Sequence, residues 1–180
     1  MADRAATPGA RDLRWTDFEP IVEGYLTAYD ERARGEPVGI VLFDAPPTLG
    51  AESEWFGSMF RRVQDGSMIA RVADDGGVAV GLSTIGRASA GAPSETDHVG
   101  HLGIFVRRTH RGRGYGRALL RATLDAARGT YAVVRLEVFA TNDGARRLYE
   151  SFGFVVVGRV PHGIRRGTTF VDSNIMALSV

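Results

Sequence analysis

The chain has 180 residues, 44% hydrophobic and 24% charged, with a net charge of +1. That length carries a full hydrophobic core within one domain, and that charge excludes a molecule built as a whole for nucleic acid or acidic membranes. The absence of cysteine excludes a disulfide scaffold and thiol catalysis. No run reaches membrane-spanning length, and the first twelve residues lack the apolar stretch of a secretory signal, so the expectation is a cytoplasmic protein with no membrane partner.

Residues 1–10 are small and polar and read as a flexible tail ahead of a single domain over residues 11–180. Thr16-Asp17-Phe18-Glu19 reads as a capping box, with Thr16 at the N-cap and Glu19 at N3. Phe18, Ile21, Val22, Tyr25, Leu26 and Tyr29 then fall on one face of a helix that ends near Gly35. A loop with Pro37, Pro46 and Pro47 follows. Trp55, Phe56, Met59, Phe60 and Val63 mark a second helix, stopped by Asp65-Gly66, and these aromatics read as core.

From residue 67 the apolar period changes from helical to alternating. Strands are predicted at 68–72 and 78–82, joined by Asp74-Asp75-Gly76-Gly77, a hairpin signal. A small-residue loop with Pro93 spans Arg87 to Thr96 and leads into a strand at 99–106. After the glycine-rich stretch at 112–116, a helix runs through Leu119, Leu120, Leu124 and Ala127 to Gly129. Tyr131 to Phe139 reads as a strand, and Thr141-Asn142-Asp143 caps a short helix carrying Ala145, Leu148, Tyr149 and Phe152. Two last strands, 154–160 and 170–178, flank a turn region at 161–169. The fold class is mixed α/β, with a mostly antiparallel central sheet flanked by helices. The strands 99–106 and 131–139, joined through a helix, should run parallel by a right-handed crossover.

The informative stretch is Arg107 to Leu120. A strand, a loop with glycines at 112, 114 and 116, and a helix aim backbone N–H groups and a positive helix end at an anion. Arginines at 107, 108, 111, 113 and 117 crowd the same place. A Walker loop fails for want of Lys-Ser or Lys-Thr. A dinucleotide fingerprint fails because its last position holds Arg117 or Leu119, although Glu137 lies about twenty residues on, where a ribose-binding acid would. An RNA-binding segment has this basic, aromatic composition, yet such segments repeat and this one occurs once between a strand and a helix.

Two segments together supply a further reading. Arg111-Gly112-Arg113-Gly114-Tyr115-Gly116 is followed by Leu136-Glu137-Val138, then Asn142, Ala145, Leu148-Tyr149-Glu150 and Gly153-Phe154. This pair resembles the GNAT superfamily of N-acetyltransferases, with a segment similar to that of bacterial ribosomal-protein N-terminal acetyltransferases. The resemblance covers roughly residues 66–180; the first 65 share only a pair of helices. It implies the GNAT acyl-CoA N-acyltransferase-like fold and acetyl-CoA as co-substrate. The backbone of Gly112, Gly114, Tyr115 and Gly116 would close on the pyrophosphate, with Arg111 and Arg113 on phosphate oxygens. The pantetheine arm would lie along Ile104, Phe105 and Val106 as an added strand. Asn142 would either touch that arm or cap its helix.

For the chemistry, the resemblance implies Tyr149 as the acid that protonates the departing thiolate and Glu137 as the base, with His101 as a rival base. Four histidines without cysteine show no ligand spacing, so no metal is expected. The acceptor is a primary amine on a small molecule, a protein N-terminus or a lysine. The helices at 17–34 and 49–64, the proline loop and the turn at 161–169 should shape its pocket, with Glu36, Asp44, Glu52 and Glu54 read as solvated charge. Family members are often dimers, which makes a homodimer an expectation by analogy. A catalytically silent CoA-binding regulatory domain and an RNA-binding protein stand as the alternatives.

Overall fold

The computed structural model describes residues 8–87 and 94–180, so most of the predicted loop around Pro93, and residues 1–7 of the predicted tail, lie outside the described residues. In chain order the elements are β1 (Gly9–Asp12), α1 (Phe18–Ala33), α2 (Leu49–Gln64), β2 (Met68–Asp75), β3 (Val78–Arg87), β4 (Val99–Val106), α3 (Tyr115–Ala127), β5 (Val133–Phe139), α4 (Asp143–Glu150), β6 (Val155–Arg166) and β7 (Thr169–Ser179). The strands form one seven-stranded sheet in the order β1-β2-β3-β4-β5-β7-β6. Every pairing is antiparallel except β4 with β5, which is parallel as the intervening helix requires.

That parallel pairing is short. It holds only Val99 with Val133, Gly100 with Val134 and His101 with Arg135. Beyond it β4 continues to Val106 against β3, while β5 continues to Phe139 against β7. The sheet therefore divides into two limbs past His101, and the gap between them is the central fact of the molecule. Gly100 sits at the apex, where a side chain would meet Ile85 at 2.5 Å and the Tyr131 ring at 3.0 Å.

Strand alternation sends residues to two cores. On one face Leu120, Leu124, Val134, Leu136, Val138 and Met176 pack with α3 and α4. On the other, Ile21, Phe56, Met59, Ala70, Val72 and Leu82 pack under α1 and α2. Phe56 is fully buried with Trp15, Phe18 and Phe60 around it, as its helical spacing predicts. Trp55 does not join them; it is 47% exposed.

Three local expectations are corrected. Gly9 and Ala10, placed in the tail, belong to β1 on the sheet edge. Thr16 lies in a 3-10 turn at Trp15–Asp17, and Asp17 stands at the N-cap of α1 without a side-chain bond to that helix: its carboxylate accepts from the Arg14 backbone N–H at 2.7 Å and from both terminal nitrogens of Arg11 at 2.7 and 2.8 Å. Charged donors on a buried carboxylate fix the chain entry there in place of a hydroxyl cap. The expected turn at 161–169 is mostly strand. Pro161 and Gly163 mark a bulge in edge strand β6, which tolerates a missing N–H, and the chain reverses only at Gly167 and Thr168.

Candidate active site

The glycine turn has the local geometry of an anion cradle. Gly112 and Gly114 have φ of 73° and 94°, a region that side chains avoid, and Gly114 is the residue ahead of α3. A Cβ on Gly112 would meet nothing within 4 Å, so that backbone faces open space. Gly116 instead brings α3 close to Leu148 of α4. Tyr115 turns its side chain away, 2% exposed under β2 and β3 and edge-on to His110, so only its backbone belongs to the turn.

The arginines divide sharply. Arg111 donates from Nε to the Val106 carbonyl at 2.9 Å and from Nη1 and Nη2 to buried Glu31 at 2.6 and 3.2 Å. It ties α1 to the turn, and its side chain is already engaged. Arg107 pairs with Glu23 and the Pro20 carbonyl, and Arg108 with Glu36. Arg113 lies over the Tyr115 ring, 5.8 Å from its centroid, outside the cleft lining. Arg117 lines the cleft, with its guanidinium 5.5 Å from the Phe152 centroid and no carboxylate partner among the described residues. The sequence carried a sign of this: a cation in the first turn of a helix opposes the dipole unless an anion sits there.

Between the limbs runs a cleft of about 650 Å³, bounded by Ile104 to Val106, the glycine turn, α4 and the segment Pro37 to Ile40. The Phe105 carbonyl points at Gly81 of β3, and the Arg107 N–H donates to the Val80 carbonyl at 2.8 Å. By alternation, the backbone groups of Ile104 and Val106 face the gap. Val106 has its carbonyl taken by Arg111, which leaves its N–H and both groups of Ile104. Phe105 contributes its side chain on the α1 and α2 side rather than backbone donors.

From α4, Tyr149 and Asn142 reach the same cleft. Tyr149 is 7% exposed, its ring edge-on to Phe154, and burial pushes its phenol up to about 12. Its hydroxyl has no hydrogen-bond partner among the described residues. Asn142 caps α4, accepting from the Ala145 N–H at 3.2 Å, and its amide nitrogen abuts Gly39. The capping role and the cleft position are thus both present. Segment 37–44 is clasped over the opening: Arg166 of β6 donates to the Val38 and Ile40 carbonyls at 2.9 and 2.8 Å and covers Phe139, while Arg32 holds the Phe43 and Asp44 carbonyls.

A second cavity, about 410 Å³, lies under α1 and α2 and shares Ile40, Ile104 and Phe105 with the first. Its walls are chiefly apolar, with Trp55, Met59, Tyr25 and Val41, and its floor is β4 at Gly103. Arg62 is its one charged residue. Of the acids read as solvated, Glu36 pairs with Arg34 and Arg108, Asp44 with Arg165, and Glu54 is exposed. Glu52 is different: it is buried, and burial raises its carboxyl above the usual range.

His101 and Glu137 occupy one face of the sheet, on opposite limbs. Register pairs His101 with Arg135 at the apex, and Glu137 lies two residues further along the other limb, past the last parallel pair; neither His101 nor Glu137 lines either cavity. Burial and Arg135 hold the His101 imidazole below its usual pKa. Glu137 is exposed, and one of its oxygens accepts from the buried Ser173 hydroxyl. No group of three or more potential ligands for a metal ion occurs among the described residues. No helix among them is long and apolar enough to cross a membrane.

Known proteins share this pattern. The model of the acetyltransferase (GNAT) family matches residues 45–154. The chain is 38% identical to N-alpha-acetyltransferase RimI of Mycobacterium tuberculosis over 144 residues, 79% of this chain and 83% of that one. It is 28% identical to L-amino acid N-acyltransferase MnaT of Escherichia coli over 113 residues, 61% of this chain and 63% of that one. Its fold superposes on the yncA acetyltransferase of Salmonella typhimurium, solved with acetyl-CoA, with a TM-score of 0.79 at 21% identity, covering 97% of this chain and 94% of that one. The divided sheet, the glycine turn at the head of α3 and the family match agree: this chain belongs to the GNAT family of acetyltransferases.

Proposed function

We propose that the acetyl group of acetyl-CoA passes directly to the α-amine of an acceptor that enters from the α1 and α2 side, with Tyr149 as the acid and Glu137 as the base. The observation that carries this reading is the open edge of β4, which runs from the glycine turn to the floor of the second cavity. Acetyl-CoA supplies an activated thioester. The free N–H groups of the turn and the Arg117 guanidinium suit its phosphates, and the unpaired groups of Ile104 and Val106 suit the amides of its pantetheine arm. Two named relatives, an N-alpha-acetyltransferase and an L-amino acid N-acyltransferase, support an α-amine.

An α-amine has a pKa of about 8 and must lose a proton before it attacks. Glu137 lies two residues past the apex on β5, held at one oxygen by Ser173, so its other oxygen is available to the ammonium or to a bridging water. His101, kept neutral at the apex, is the second proton acceptor on that face. Tyr149 remains protonated throughout the physiological range, and its hydroxyl donates to the sulfur as negative charge develops there.

Thiol release from acetyl-CoA with a panel of amines tests the assignment. Glu137→Gln is expected to lower kcat about a hundredfold, and His101→Gln much less. The reverse order moves the base to His101. Without an amine, acetyl-CoA at about 100 times its Kd is expected to stabilise the protein by roughly 2.7 kcal/mol.

A further inference from the structure

The second cavity has a chemistry of its own. Trp55, Ser58, Met59 and Arg62 are spaced at i, i+3, i+4 and i+7 and line it from one stripe of α2. Its walls are apolar, and Arg62 alone brings charge to them. The Arg62 guanidinium has no ion pair or hydrogen bond with any described residue, unlike Arg32, Arg107, Arg111 and Arg166 nearby. It lies against Gly86, where a side chain would meet Nη2 at 2.9 Å, so glycine at 86 is what admits it to the sheet surface. Gly86 is the register partner of His101, and Thr84, two residues earlier, is the partner of Gly103 on the cavity floor. A half-buried guanidinium thus faces an apolar chamber whose floor is β4 at Gly103. Ser58, exposed one helical turn before it, lines the same cavity with its hydroxyl.

We infer that this cavity takes a free amino acid with an apolar side chain, and that Arg62, assisted by Ser58, binds its α-carboxylate. The inference rests on the proposal that the amine enters through this cavity, and it goes beyond it by naming the substrate class. An α-amine and its carboxylate lie on one carbon, so a carboxylate on Arg62 fixes the amine beside Gly103 and His101. The side chain then packs against Trp55, Met59 and Val41. A peptide N-terminus has an amide where the free acid has its carboxylate. It would leave the guanidinium without its anion in a partly desolvated site.

The test compares L-leucine, L-methionine and L-phenylalanine with their carboxamides and with tripeptides that begin with the same residues, by thiol release from acetyl-CoA. The wild-type protein is expected to favour the free acids at least tenfold in kcat/KM. Arg62→Gln is expected to raise KM for the free acids about 10- to 100-fold, with kcat and the acetyl-CoA thermal shift unchanged and the carboxamides barely affected. Arg62→Lys should recover part of that loss, and Ser58→Ala should show the same selective effect at smaller size. Preference for carboxamides or tripeptides, or an equal loss for acids and amides in Arg62→Gln, overturns the inference and leaves the donor site standing. So does a normal acetyl-CoA shift without turnover of any free acid. Absence of both the shift and all turnover strikes instead at the acetyl-transfer reading beneath it.

Discussion

The two cavities share one strand and are made differently. The cleft between the limbs is defined largely by backbone: left-handed glycines, a helix terminus and the unpaired edge of β4. The chamber under α1 and α2 is defined by side chains drawn from α1, α2, β2, β3 and β4 and from the segment joining the helices. A backbone site can hold any ligand with phosphates and amides at the right spacing, so it suits a donor common to many enzymes. A side-chain site changes with each substitution along α2, so it suits an acceptor that differs from one relative to the next. Disrupting the first should abolish donor binding, whereas disrupting the second should alter only the choice of acceptor.

The largest effect is expected where the turn is tied to α1. Arg111→Ala leaves Glu31 buried without its partner and should cost about 3–5 kcal/mol of stability, measured by urea unfolding. A cost below 1 kcal/mol would mean that Arg111 serves the ligand and not the scaffold. Gly114→Val forces a β-branched residue into φ of 94° and against Pro8, and should remove the roughly 2.7 kcal/mol of stabilisation by saturating acetyl-CoA. Normal binding by that variant would dissolve the contrast between the cavities. Tyr149→Phe should lower kcat about a hundredfold with acetyl-CoA affinity within twofold, and unchanged turnover would remove Tyr149 from the chemistry.

The smallest effect concerns pH. His101 is held below its usual pKa of about 6.5 in the fold, so its contribution to stability is complete above that value. It is lost as the pH falls through the lower, folded value. His101→Gln should flatten that part of the stability profile between pH 7.5 and 5. An unaltered profile would place His101 in an environment no different from water.

Legibility followed the same division. Gly112, Gly114 and Gly116 announce a backbone site because few other roles need three glycines so close, and the alternation at 68–72, 78–82 and 99–106 announces the strands around it. Phe56 and Ile21 announce a core by helical spacing. Trp55 has the same spacing signal and a different fate, because periodicity says which face a residue is on and not whether a neighbour covers it. Arg111 and Arg117 are alike as letters. Only the arrival of Glu31 from α1 engages the first and leaves the second to the cleft. Glu52 likewise becomes a buried acid through contacts distant in sequence. The edge-strand bulge at Pro161 and Gly163 misleads because the residues that permit a bulge are those that make a turn.

The hydrogen bonds from Arg166 to the carbonyls of Val38 and Ile40 bear on the release of the donor. The limbs are joined at the apex by the three parallel pairs, and the 37–40 segment, tied to β6 and set against Asn142, lines the cleft between them. An acyl arm laid along β4 would then lie under this segment, which stands in the way of its lifting out sideways. Residence time of the donor is then expected to depend on Arg166, which is outside the glycine turn and holds only the segment and the Phe139 ring.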